Sequence, residues 1–133
     1  MYAVVARLFK AAPARIEGNL ESRRRQSDYA ESKLYDAMLA FAIARRWPGV
    51  FSNALEPGWV PTKMGGSGAP DDIDQAHLTQ AWLAAGDDPK ADVTAQYFYH
   101  LKRMEPNAQA QDPGLQDRLI AICSEISGVP LPA

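Results

Sequence analysis

Between Leu34 and Ala44 the sequence reads Leu-Tyr-Asp-Ala-Met-Leu-Ala-Phe-Ala-Ile-Ala, with Asp36 as its only charge. A helix apolar on almost every side has to be covered on more than one face, as between a sheet and a second helix or subunit. The pattern predicts a helix from about Asp28 to Arg46. Arg45 and Arg46 suit the negative end of its dipole, and Pro48-Gly49 stops it. Val50 to Leu55 then reads as a short buried strand. Helix, tight turn and strand in that order suggest one unit of a parallel α/β sheet.

Two groups of polar residues flank this unit. Tyr29 and Lys33 stand at i and i+4 in Ser27-Asp-Tyr-Ala-Glu-Ser-Lys33, on one face of the helix start. An ammonium beside a phenol favours the phenolate, which brings proton exchange toward neutral pH and suits protonation of a carbonyl or deprotonation of an alcohol. Directly after the strand comes the Gly/Pro-rich stretch Glu56-Pro-Gly-Trp-Val-Pro-Thr-Lys-Met-Gly-Gly-Ser-Gly68. Ligands of open α/β sheets sit outside the carboxyl ends of the strands, where this loop falls. Gly58 permits close backbone approach, Pro61 stiffens the turn, and the Thr62 hydroxyl can bond a carboxamide or phosphate oxygen. Taken alone, the pair also fits an ordinary exposed Tyr and Lys, and the loop alone fits a structural turn.

Together these residues resemble the C-terminal half of a short-chain dehydrogenase/reductase, a family of Rossmann-fold enzymes that use NAD or NADP. The resemblance rests on a Tyr-x-x-x-Lys pattern at Tyr29 to Lys33 and a Pro-Gly-x-x-x-Thr pattern at Pro57 to Thr62, one helix and one strand later. It extends from Ser27 to about Val129. The fold it implies is α/β, a partial Rossmann-like, doubly wound parallel sheet lacking the N-terminal nucleotide-binding half. Residues 1–26 would form a separate segment and residues 27–133 the C-terminal half of the domain.

By this resemblance Tyr29 is the proton donor or acceptor, and Lys33 binds the nicotinamide ribose and tunes Tyr29. Pro57 and Gly58 shape the loop, while the backbone near Val60 and the side chain of Thr62 hold the nicotinamide carboxamide and neighbouring phosphate. The segment Lys63 to Ala69 is expected to be mobile and to lie over a carbonyl or alcohol substrate. The Gly-rich phosphate turn, the NAD/NADP selector, the Asn-Ala-Gly-like segment and the catalytic Ser strand of the family are not found in the sequence. The expectation is therefore a truncated chain, inactive and weakly cofactor-binding by itself. The alternative is a non-catalytic interaction module derived from the same family.

In either case self-association or aggregation is expected, through an apolar patch carrying Leu39, Phe41 and Ile43. A net charge of −2 argues against a nucleic-acid partner, and Arg23-Arg24-Arg25 reads as a solvated linker. No apolar run approaches the length of a membrane span. The single Cys123 excludes an internal disulfide and suits a reducing cytoplasm; its neighbours Leu119, Ile120, Ile122 and Ile126 suggest a buried helix position.

Downstream, Asp71 or Asp72 should cap a helix from Ile73 to Ala85 with Gly86 as a left-handed stop, and the cluster with Asp74 lacks the spacing of a calcium loop. Val93 to His100 reads as a strand with Tyr97 and Tyr99 on one face. His77 and His100 have no metal-ligand spacing. Asp112-Pro113 starts a final helix that Gly128 ends.

Overall fold

The computed structural model describes the backbone of residues 2–5 and residues 29–132 in full. The expectations for Ser27, Asp28, the Arg23–Arg25 run and most of the 1–26 segment lie outside the described residues. The elements are β1 (Tyr2–Val5), α1 (Tyr29–Arg46), β2 (Ser52–Glu56), α2 (Leu78–Ala85), β3 (Tyr97–Tyr99), β4 (Lys102–Met104) and α3 (Pro113–Ser127). Single 3-10 turns at Ile73–Gln75, Pro89–Ala91 and Ala108–Gln111 connect them. The strands form one mixed sheet in the order β1-β2-β3-β4. β1, β2 and β3 run parallel, with Ala3 opposite Asn53 and Leu55 opposite Phe98. β4 returns antiparallel along β3, so the expected all-parallel sheet is corrected at its edge.

Strand alternation explains why β2 is buried on both faces. Ala54 and Tyr97 point toward α1 and α3, where they meet Leu34, Met38, Phe41 and Leu119. Leu55 and Phe98 point the other way and meet Leu83 of α2, with Trp82 and Val93 at the margin. The charge-poor Leu34–Ala44 stretch of α1 thus packs between the sheet and α3. Phe41 is only 5% exposed, which removes it from the expected open apolar patch, while Leu39 and Ile43 are half-buried and keep part of their surface open. At its far end Arg46 donates to Asp117 of α3 at 2.9 Å, and Arg45 reaches the same carboxylate. The two guanidiniums hold the Asp117 carboxyl below its usual range, Arg46 contributing most.

Polar side chains fix the position of β2. Ser52 Oγ donates to the Ala40 carbonyl at 2.8 Å, tying the strand to α1. Asn53 donates to the Val93 carbonyl at 2.7 Å and accepts from Gln96 N–H at 3.0 Å, aligning the chain that enters β3. These side-chain bonds, and a positive φ of 56° at Ala95, occupy the backbone that sequence pattern assigned to strand, so β3 is shorter than Val93 to His100. His100 and Leu101 close the β3–β4 hairpin with φ of 45° and 63°, the left-handed pair that a two-residue turn demands.

Other boundaries also shift. The expected helix from Ile73 is a 3-10 turn capped by Asp72, which accepts from Asp74 N–H at 2.9 Å, and α2 begins only at Leu78. Gly86 is extended, at φ −75° and ψ 141°, rather than left-handed. It is needed for space: a Cβ there would lie 2.5 Å from the Trp82 carbonyl oxygen. The last helix matches expectation, with the Asp112 side chain accepting from Leu115 N–H at 3.0 Å and Gly128 left-handed at φ 70°. Full burial along α3 stops at Ile120, however, and Cys123 is exposed. The helix outruns the core that would have covered it, as the 69% exposure of Ile126 also indicates. Among the described residues no helix is long and apolar enough to cross a membrane.

Candidate active site

Tyr29 and Lys33 occupy the first turn and a half of α1, at the end of the sheet where β2 releases its chain into the Pro57–Gly65 loop. Tyr29, Lys33, Pro57, Gly58, Val60 and Thr62 all line one cleft of about 390 Å³. Trp59, Met64 and Gly65 complete its wall. Tyr29 is 47% exposed and its ring centroid lies 5.8 Å from Lys33 Nζ. The i, i+4 geometry of the helix delivers this approach.

Lys33 has a second partner, which sequence reasoning noted only as a lone charge. Its Nζ donates to Asp36 Oδ2 at 2.8 Å, one turn along α1. The Asp36 hydrogen bond holds the Lys33 ammonium above its ordinary range; partial burial opposes this, and the Asp36 charge and then Tyr29 add to it. Lys33 therefore stays cationic in the cleft. An i, i+3 Lys–Asp pair was legible in the sequence as a helix-surface contact.

The loop is fastened by its own turns. Thr62 N–H donates to the Val60 carbonyl at 2.8 Å, and Gly66 N–H donates to the Thr62 carbonyl at 2.8 Å. Thr62 Oγ1 accepts from Gly65 N–H at 3.1 Å, which leaves its O–H to donate outward. Gly65 admits no side chain, since a Cβ would lie 2.0 Å from the Val60 carbonyl oxygen. The Trp59 indole closes the loop by donating to the Gly65 carbonyl at 2.8 Å. Gly58, at φ +91°, is left-handed, and it sits against Asp71 and His100. Asp71 and Trp59 were not singled out from sequence as site residues; the sequence marked Gly58 for close backbone approach but named no partner for it.

This arrangement offers a phenol beside a fixed cation, a hydroxyl donor and an exposed backbone, facing one small-molecule-sized space. Among the described residues, no group of three or more His, Cys, Asp or Glu side chains is placed to hold a metal ion.

No family model matches the chain, and no solved structure matches it. Curated relatives do. The chain is 37% identical over 106 residues to the short-chain dehydrogenase chyC of Penicillium rubens, covering 79% of this chain and 41% of that protein. It is 35% identical to the short-chain dehydrogenase chry4 of Gibberella zeae, covering 79% of this chain and 40% of the relative. An uncharacterized oxidoreductase of Emericella nidulans is 34% identical over 116 residues, covering 86% of this chain and 46% of the relative. The chain spans less than half the length of each of these relatives. Over the part it shares with them, it belongs to the short-chain dehydrogenase/reductase family.

Proposed function

We propose that the cleft is the nicotinamide and proton-transfer part of an NAD(P)-dependent reaction that interconverts a carbonyl and an alcohol. The reading rests on one observation: the first turns of α1 and the loop after β2 share a single cleft that contains Tyr29, Lys33 and Thr62. Its volume of about 390 Å³ lies in the range of small-molecule sites, about 300–1,000 Å³. The donor set suits a nicotinamide riboside, with the Thr62 hydroxyl and the Val60 backbone for the carboxamide and Lys33 for the ribose hydroxyls.

When bound, the nicotinamide supplies or accepts the hydride. In the reducing direction Tyr29 donates its phenolic proton to the substrate oxygen as negative charge develops there, and takes a replacement from solvent. In the reverse direction the phenolate accepts the alcohol proton. Lys33, kept cationic by Asp36, stabilises the phenolate through space. Trp59, Val60 and Met64 give the remaining wall an apolar character suited to the carbon frame of a substrate.

Backbone amide NMR of the chain during titration with NADH or NADPH tests the reading. Shifts should concentrate on Tyr29, Lys33 and Gly58 to Gly65. Affinity should be weaker than micromolar, because adenosine and pyrophosphate contacts are not part of this cleft. Shifts elsewhere, or none at millimolar cofactor, would exclude it.

A further inference from the structure

The backbone that faces the cleft is held from below by residues of two other segments. Asp71, at the far end of the loop, accepts from the Trp59 N–H through Oδ2, and its own N–H donates to the Trp59 carbonyl at 3.0 Å. Positions twelve residues apart are thus fastened in both directions. The other carboxylate oxygen accepts from the Tyr99 hydroxyl at 2.9 Å, which anchors Asp71 to the end of β3. Gly58 lies directly on this support: a Cβ would come within 2.8 Å of Asp71 Oδ2 and 3.1 Å of His100 Nε2. The left-handed φ of Gly58 is the conformation that lets the backbone pass so close.

We propose that Asp71, braced by Tyr99, is a positioning residue that sets the Gly58–Val60 backbone at the height where it meets a bound nicotinamide. The proposal rests on the reading of the cleft given above. Asp71 acts through Trp59 and Gly58 and does not itself line the cleft. The hydrogen bond to Asp71 also keeps the Tyr99 hydroxyl protonated above its usual range, followed by burial and the charges of Asp71 and Glu56, so the brace persists over ordinary pH. The strained His100–Leu101 hairpin adjoins the same point, with Leu101 N–H bound to Thr79 Oγ1 at 3.0 Å, and fixes where Tyr99 ends.

The test compares the full chain with Asp71→Ala, Asp71→Asn and Tyr99→Phe by amide and indole NMR, with and without NADH. Tyr99→Phe removes only a hydroxyl and keeps the ring packing, so it reports even where Asp71→Ala impairs folding. Without NADH, Asp71→Ala and Tyr99→Phe should displace the Gly58, Trp59 and Val60 signals. Asp71→Asn retains an acceptor for Trp59 and a partner for Tyr99, and should leave them near wild type. With NADH, Asp71→Ala should weaken binding about tenfold, as expected for loss of a hydrogen bond to a charged group, and Asp71→Asn by less than about threefold. Unmoved loop signals in Asp71→Ala and Tyr99→Phe, or an Asn variant as impaired as the Ala variant, would overturn the proposal. Loop displacement as expected, without any NADH-dependent shift in wild type, would uphold the brace and defeat the nicotinamide reading.

Discussion

Lys33 Nζ rests 2.8 Å from the Asp36 carboxylate while standing 5.8 Å from the centroid of the Tyr29 ring. One ammonium thus serves two neighbours on a single helix face, and Asp36 decides how firmly it stays charged. Because the Lys33 pKa is raised in the folded chain, the pair stabilises the fold fully below the ordinary value of 10.5 and loses that contribution as pH rises through the raised value. Asp36→Asn should cost about 0.5 kcal/mol or less at neutral pH, as for exposed helix ion pairs. Its stability should also fall less steeply than wild type above pH 10.5. Urea melts across that range provide the check, and identical alkaline slopes in the two proteins would count against the pairing.

Tyr29→Phe should separate chemistry from folding. The side chain is half-exposed, so its hydroxyl contributes little to the core, and stability should change by less than about 0.5 kcal/mol. Loss of a positioned proton donor costs about 10²- to 10⁴-fold in rate. Carbonyl reduction by a protein carrying this cleft, followed through NAD(P)H consumption, should drop by that order while the melting temperature holds. Equal rates in both proteins would remove Tyr29 from the proton-transfer role.

The parts of this molecule that could be read from sequence are those governed by local pattern. The charge-poor run Leu34–Ala44 announced a helix between two layers, and Asp112-Pro113 with Gly128 announced both ends of α3. The Tyr29–Lys33 spacing and the Pro57–Thr62 loop brought the six candidate residues to one cleft because helix periodicity and strand direction suffice to aim them. What stayed hidden depends on contacts distant in sequence. The hydrogen bond from Tyr99 to Asp71 spans 28 residues, and nothing near either residue signals it. Cys123 sits among apolar neighbours that suggest burial, but α3 extends past the core, and local composition carries no record of where a neighbouring layer stops.

Gly65 and Gly66 are adjacent and should respond differently to alanine. At Gly65 the new Cβ meets a backbone oxygen 2.0 Å away, so the loop itself must move. At Gly66, with φ +77°, nothing lies within 4 Å, and only the left-handed conformation is penalised, by about 1–2 kcal/mol. Gly65→Ala should break the indole bond from Trp59 to the Gly65 carbonyl and shift the Trp59 indole proton signal. Gly66→Ala should leave that signal in place. A common response of the two variants would show that the tight approach to Val60 is not maintained in solution.

The exposed position of Cys123 leads to the last expectation. Leu119 packs against α1 and the sheet and Ile120 is buried, whereas Cys123 and Ile126 are exposed on the final turns of α3. Thiol reaction depends on thiolate fraction and access, and access is open here among the described residues. The native chain should take up one equivalent of a disulfide reagent at a rate within about threefold of the urea-unfolded chain. Cys123→Ser should change stability by less than about 0.5 kcal/mol, since no core contact is lost. Protection that disappears on dilution would mean that another copy of the chain covers this end of α3. Protection independent of concentration would instead mean that residues of the same chain cover the thiol.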